Sequence, residues 1–208
     1  MSCTGSALLI HGLGRTPVSM FPLAGPIRRA GLRTHFFGYS TTLESMTRIV
    51  SRLRRKLEEH RPEFLVAHSL GGILLRRVLA EWPQPFVRHF VMLGTPNQSP
   101  RLARYFWRWW LFRRFAGSCG NFLATPAEYD RLPPPNVPCT VIAGTSGPTG
   151  RFSPFGNEPN DGIVSVSETR IEPRWDPIRV PAAHTLMMRH REVHRHLATV
   201  LTSFSPLG

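Results

Sequence analysis

Ser69 sits in the run Phe64-Leu-Val-Ala-His-Ser69-Leu-Gly71-Gly72-Ile, where a short apolar segment gives way to a glycine-led helix. A serine at such a strand-to-helix junction occupies a tight, strained turn that lifts its hydroxyl above the sheet edge. Small residues two before and two after keep the turn free of clashes, and here they are Ala67 and Gly71. Alanine stands where the usual pattern has glycine. A hydroxyl so placed can attack an acyl carbon if a base takes its proton. Two backbone N–H groups must then meet the developing oxyanion, one from the residue after the nucleophile and one from a loop after an early strand. Leu70 and Leu13, the latter in Leu9-Ile-His11-Gly12-Leu13-Gly14, hold those places. The positive end of the helix after Ser69 adds to the same field.

The base and its orienting acid come later in the chain. Asn160-Asp161-Gly162 is a turn after one strand-like run, and Ala183-His184-Thr185 follows the last. The order serine, acid, histidine suits a relay in which Asp161 orients His184, and His184 takes the proton of Ser69. Glu158, Glu168, Glu172 and Asp176 are rival acids. Asp161 is preferred because an aspartate-glycine turn can set a carboxylate at the carboxyl edge of a sheet, whereas Asp176 precedes the last strand.

The elements that would position these groups alternate along the chain as strand-like and helix-like patterns, which points to an α/β architecture: about six mostly parallel strands with helices on both faces. Strands are expected at 7–11, 34–37, 64–68, 88–93, 139–144 and 178–180, and helices at 18–30, 43–60, 73–82 and 185–204. Pro22 and Pro26 shorten or kink the first helix. Met46, Ile49, Val50, Leu53 and Leu57 give the second its apolar stripe, and Pro62 ends it. No repeat or linker divides the chain, so residues 1–208 read as a single domain carrying an insertion over 98–138.

Composition narrows the class. The 208 residues are 41% hydrophobic and 19% charged, with 17 Gly and 20 Pro, which excludes collagen-like and disordered chains. No apolar run reaches the roughly 20 residues of a spanning helix, and Met1–Ile10 lacks the flank of a cleavable signal. The net charge of +13 favours anionic partners, although all basic residues but Lys56 are arginine, as a GC-rich genome produces. No dense basic block marks a nucleic-acid arm, and no nucleic-acid partner is expected. Cys3, Cys119 and Cys139 match no zinc spacing and suit free thiols, pointing to a cytoplasmic protein.

His11-Gly-Leu-Gly, Ala67-His-Ser-Leu-Gly-Gly, Leu93-Gly-Thr-Pro-Asn-Gln, Asn160-Asp-Gly-Ile-Val-Ser-Val and His184-Thr-Leu-Met-Met together resemble small lidless bacterial α/β hydrolases of the lipase/esterase kind. They are more distantly similar to GPI-inositol-deacylase-like lipases. The resemblance runs from Ala7 to Leu201. It implies the α/β-hydrolase fold and ester hydrolysis through an acyl-enzyme, with no cofactor and no metal. It also implies Ser69, Asp161 and His184 as the triad and Leu13 and Leu70 as the oxyanion positions. The same machinery serves a thioesterase, amidase or acyltransferase, and the fold also suits a non-catalytic lipid- or protein-binding module.

Gly12 lets the loop backbone approach a bound ester. His68 either lines the site or packs in the elbow, and Tyr39 either lines an acyl pocket or caps the core. Arg101–Phe115 packs seven aromatics and five arginines into fifteen residues. The favoured reading is an amphipathic face packed on the body through residues 105, 106, 109, 110 and 112. The sharper ones are a substrate-facing cap, or peripheral contact with an anionic membrane. His190 and His194 are four apart but lack the glutamate spacing of a zinc protease motif, and they read as solvated helix histidines. Cys119 has no partnered histidine. Oligomeric state is not legible in the sequence.

Overall fold

The computed structural model describes residues 5–172 and 175–204; Cys3 lies outside them. Six strands form one parallel sheet: β1 (Gly5–Ile10), β2 (Leu32–Phe37), β3 (Phe64–His68), β4 (His89–Leu93), β5 (Cys139–Gly144) and β6 (Ile178–Val180). Their order is β2-β1-β3-β4-β5-β6. Apolar residues on both faces are what a sheet covered on both sides requires. Leu8, Ile10, Leu65, Ala67, Phe90 and Met92 point to one layer. That layer holds α2 (Met46–His60) and α3 (Leu70–Glu81). Ala7, Leu9, Val66, Val91 and Leu93 point to the other. There lie α1 (Ala24–Arg29) and α8 (Arg191–Thr202).

The short helices are α4 (Arg101–Phe106), α6 (Pro126–Asp130) and α7 (Val166–Thr169), with the longer α5 (Trp110–Ala124) between the first two. The helix expected at 43–60 begins at Met46, because the Ser45 side chain accepts the Arg48 N–H and caps it. The segment at 18–30 splits into a 3-10 turn, Pro17–Leu23, and α1, with Pro22 inside the turn. The closing helix also divides. A 3-10 turn spans His184–Arg189, and His190 is extended (φ −76°, ψ 132°) and caps α8 by accepting the Glu192 N–H. His190 is therefore outside the helix that carries His194, and His194 Nε2 is bonded to the Met188 carbonyl at 2.8 Å.

Chain direction reverses between β1 and β3: from β1 the chain steps outward to β2, and from β3 it proceeds to the opposite edge. Ligands in open parallel sheets bind outside the carboxyl ends of the strands at such a point. The register Ile10↔Ala67 levels the ends of the two strands, so the loop after β1 stands beside Ser69. Gly71 makes this approach feasible, since a Cβ there would lie 2.6 Å from the His11 carbonyl oxygen. A backbone oxygen cannot swing aside. Gly71→Ala is expected to destabilise the protein by about 1–3 kcal/mol, the usual cost of overpacking, as read from urea unfolding.

Candidate active site

Ser69 has φ 52° and ψ −124°, while β3 ends one residue earlier and α3 begins one residue later. Such a conformation costs a non-glycine residue on the order of 1–3 kcal/mol and persists only where neighbours enforce it. Its N–H donates to the Leu93 carbonyl at 2.9 Å, and its carbonyl accepts the Gly72 N–H at 2.9 Å. Leu70 is the first residue of α3, so its N–H has no acceptor within the helix. No hydrogen bond among the described residues engages the Leu13 amide or the Ser69 hydroxyl.

Asp161 and His184 are brought together. Asp161 Oδ2 accepts from His184 Nδ1 at 2.6 Å, and both side chains are buried. The other carboxylate oxygen accepts the Ile163 and Val164 N–H groups at 3.0 and 2.8 Å. The His184 N–H donates to the Asp161 carbonyl at 2.9 Å. Asn160, fully buried, shapes the turn by accepting the Gly162 N–H and donating to the Pro148 and Glu158 carbonyls. Gly94 (φ 55°) lies beneath the pair, and a Cβ on it would come within 3.1 Å of both Asp161 Oδ2 and His184 Nδ1. Three of the rival acids are engaged elsewhere. Glu158 and Glu168 pair with Arg101, and Asp176 pairs with Arg170 ahead of β6.

Ser69, His68 and His184 border one cavity of about 510 Å³. Of the three residues expected to touch substrate, His68 alone lies in its wall. Its Nε2–H donates to the His184 carbonyl at 3.0 Å, and its buried Nδ1 has no partner among the described residues. Burial, with the neighbouring His184 and Arg15, holds its pKa well below the usual histidine value. Gly12 packs behind the serine, where a Cβ would meet His68 Nδ1 at 2.8 Å and Ser69 Cβ at 3.0 Å. Tyr39 stacks on His11 (centroids 4.3 Å apart, 5° between planes), and its hydroxyl donates to the His11 carbonyl at 2.9 Å. The His11 ring is satisfied at both nitrogens, by the Gly12 carbonyl and the Tyr39 N–H. Tyr39 thus braces the loop that carries Leu13.

The insertion supplies walls that sequence reasoning assigned otherwise. Phe106, Phe112 and Phe115 line the cavity, with Leu123, Pro96, Pro100, Ile163 and Val164 completing its apolar surface. Tyr105, Trp109 and Trp110, expected to pack on the body, are 55%, 54% and 67% exposed. The dense aromatic run was the available signal. It does not show which rings turn inward, because α4 and α5 meet at a corner rather than continuing as one helix. Cys119 is buried, and burial pushes its thiol up to about 12, so it is no nucleophile.

No family model and no curated protein sequence matches the chain. Solved structures do match. The mature lipase BlEst2 of Bacillus licheniformis is 17% identical with a TM-score of 0.73, over 97% of this chain and 93% of that one. MGS-MChE2, an α/β-hydrolase enzyme from the metagenome of Mar Chica lagoon sediments in Morocco, is 16% identical with a TM-score of 0.64, over 96% and 91%. An extracellular α/β-hydrolase from a Paenibacillus species is 15% identical with a TM-score of 0.62, over 95% and 98%. The chain has the α/β-hydrolase fold.

His11, His68 and His89 all have pKa values lowered chiefly by burial. The unfolded chain therefore binds more protons than the folded one below the unperturbed value of about 6.5. Stability should be fully present above that pH and decline below it. His68→Gln should flatten the decline by up to about 1.4 kcal/mol per pH unit, measured as unfolding free energy against pH.

Proposed function

We propose that the protein is a serine hydrolase cleaving carboxylic esters, in the manner of an esterase or lipase, with the whole chain acting as one catalytic unit. The observation that carries this reading is the Asp161–His184 hydrogen bond, whose imidazole borders the same cavity as the strained Ser69. An ionised carboxylate only accepts, so His184 carries its proton on Nδ1 and keeps Nε2 as the base. Ser69 Oγ attacks the acyl carbon while Nε2 takes the hydroxyl proton. The tetrahedral intermediate collapses with cleavage of the ester C–O bond, and His184 returns the proton to the departing alcohol. Water, deprotonated by the same nitrogen, then releases the acid from the acyl-serine. No hydrogen bond joins hydroxyl and imidazole among the described residues, and in this reading that bond forms when substrate fills the site.

The Leu13 and Leu70 amides, which have no acceptor among the described residues, receive the oxyanion, each contributing roughly 2.7–4 kcal/mol. This chemistry uses only side chains and backbone. The lipase and esterase neighbours are consistent with it, and the apolar cavity suits an acyl chain. Residues 101–115 act as a cap over that chain. At its apex Tyr105, Trp109, Trp110 and Leu111 are exposed beside exposed Arg104, Arg108, Arg113 and Arg114, which supports contact with an anionic lipid surface.

A fluorophosphonate probe should label the wild-type protein and leave Ser69→Ala unlabelled; no labelling of folded wild type overturns the reading. Asp161→Asn should lower kcat on a short p-nitrophenyl ester by on the order of 10⁴-fold with the fold intact. Vesicles containing anionic lipid should retain the protein at low salt and release it as salt rises, whereas equal retention on neutral vesicles removes the membrane contact.

A further inference from the structure

The cavity above Ser69 has a neighbour. A second cleft, of about 420 Å³, shares Gly14, Arg15 and Thr185 with it and extends past Ser19 to Arg189. Arg15 forms the partition between the two. It is half-buried, and its Nη1 donates to the carbonyl of Thr185, the residue after His184, at 3.3 Å. Arg189 is exposed at the far side. The two spaces differ in chemistry: the first is walled mainly by aromatic and aliphatic side chains, whereas the second is mixed, with two guanidinium groups, Thr16, Ser19 and Thr185 alongside Val18, Pro22, Leu186 and Met188.

Neither arginine has a carboxylate partner among the described residues. Unpaired arginines are common in a chain of 26 basic and 13 acidic residues; what sets these two apart is that both border the cleft adjoining the cavity of Ser69. Arg15 is close enough to His11 and His68 that its charge opposes their protonation.

An ester held at Ser69 has two arms, an acyl chain and an alcohol. With the apolar cavity taking the acyl arm, the alcohol arm leads across Arg15 into the cationic cleft. We propose that the cleft bounded by Arg15 and Arg189 binds a phosphate group on the alcohol portion of the substrate, so that the ester cleaved is an acyl ester of a phosphorylated alcohol. Guanidinium groups suit this role because their forked donors match phosphate oxygens two at a time. The assignment of the alcohol arm rests on the serine hydrolase reading, whereas the anion-binding cleft itself does not.

The test uses butanoyl glycerol with and without a 3-phosphate. In Ser69→Ala protein, which does not turn the ester over, calorimetry should show the phosphorylated ester bound at least tenfold more tightly, with the advantage shrinking as salt is added. In otherwise wild-type protein, kcat/KM should favour the phosphorylated ester by a similar factor, mainly through KM. The preference should fall to near unity in Arg15→Gln/Arg189→Gln. Arg189→Gln alone, at an exposed position that leaves the Leu13 loop intact, should remove a substantial part of it. A preference seen with the monomeric ester assigns the cleft to soluble phosphate esters, and one confined to phosphatidic acid vesicles assigns it to a lipid headgroup. Absence of preference in both forms, or a preference that survives both substitutions, overturns the proposal. Hydrolysis of the neutral ester without preference removes the phosphate cleft and leaves the hydrolase. Preferential binding to Ser69→Ala, with no labelling or hydrolysis by wild type, does the reverse.

Discussion

The close approach between the start of α3 and the carboxyl end of β1 is the constraint on which the site depends. Ser69 occupies a left-handed conformation only because its N–H is taken by the Leu93 carbonyl and its carbonyl by the Gly72 N–H. That turn drives the first residues of α3 against the His11 carbonyl, leaving room for hydrogen alone on Gly71. Once those two backbones touch, the loop carrying Leu13 and the N-terminus of α3 are fixed relative to each other. The parallel register of β1 and β3 sets the height at which they meet. Strain at one residue is thus held by strand pairing on both sides of it.

His184 is held at three points, and only one ring atom is left uncommitted. Its Nδ1–H and its backbone N–H both go to Asp161, and its carbonyl accepts from His68. Rotation of the ring would break the strongest of these contacts, a charge-assisted bond in a dry setting. His68 serves this arrangement best when neutral, since a second positive imidazole 4.6 Å from His184 would oppose charge forming there. Burial keeps it neutral, at the cost of one unsatisfied nitrogen. The conjunction gives the histidine next to Ser69 a structural task, holding the His184 backbone.

Much of the fold, and the pairing of Asp161 with His184, was legible because both rest on local patterns. β3, β5 and β6 coincide with apolar runs with sharp ends, His184 comes soon after β6, and Asp161 sits in an aspartate-glycine turn of the loop between β5 and β6. The closing helix was overextended because the stop at His190 is made by a histidine capping its own helix, a signal that periodicity lacks. Tyr39 and Gly12 were expected near substrate because they sit in loops at the right edge, yet each is used to hold its neighbour. The aromatic run at 101–115 announced an apolar surface without revealing its direction. That direction is set by long-range contacts, which no local pattern encodes.

The division of labour between sheet edge and insertion has a physical consequence. Ser69 and His184 stand on or beside the sheet, whereas the aromatic walls of the cavity come from α4 and α5. The insertion is tied at its start and again at its middle. Arg101 bridges Glu158 and Glu168 at the start of α4. At the break in α5, where Gly117 takes φ 54°, the Thr41 and Thr42 hydroxyls both donate to the Phe115 carbonyl, and the Met46 N–H donates to Ser118 Oγ at 2.7 Å. The Phe115 ring meanwhile stands against Gly14 in the loop beyond Leu13. Between such anchors the least costly way to admit a ligand of different shape is for Phe106 and Phe112 to change rotamer, because lifting the whole segment would break every one of those bonds together. Selection by shape can therefore vary without disturbing the geometry of Ser69, Asp161 and His184.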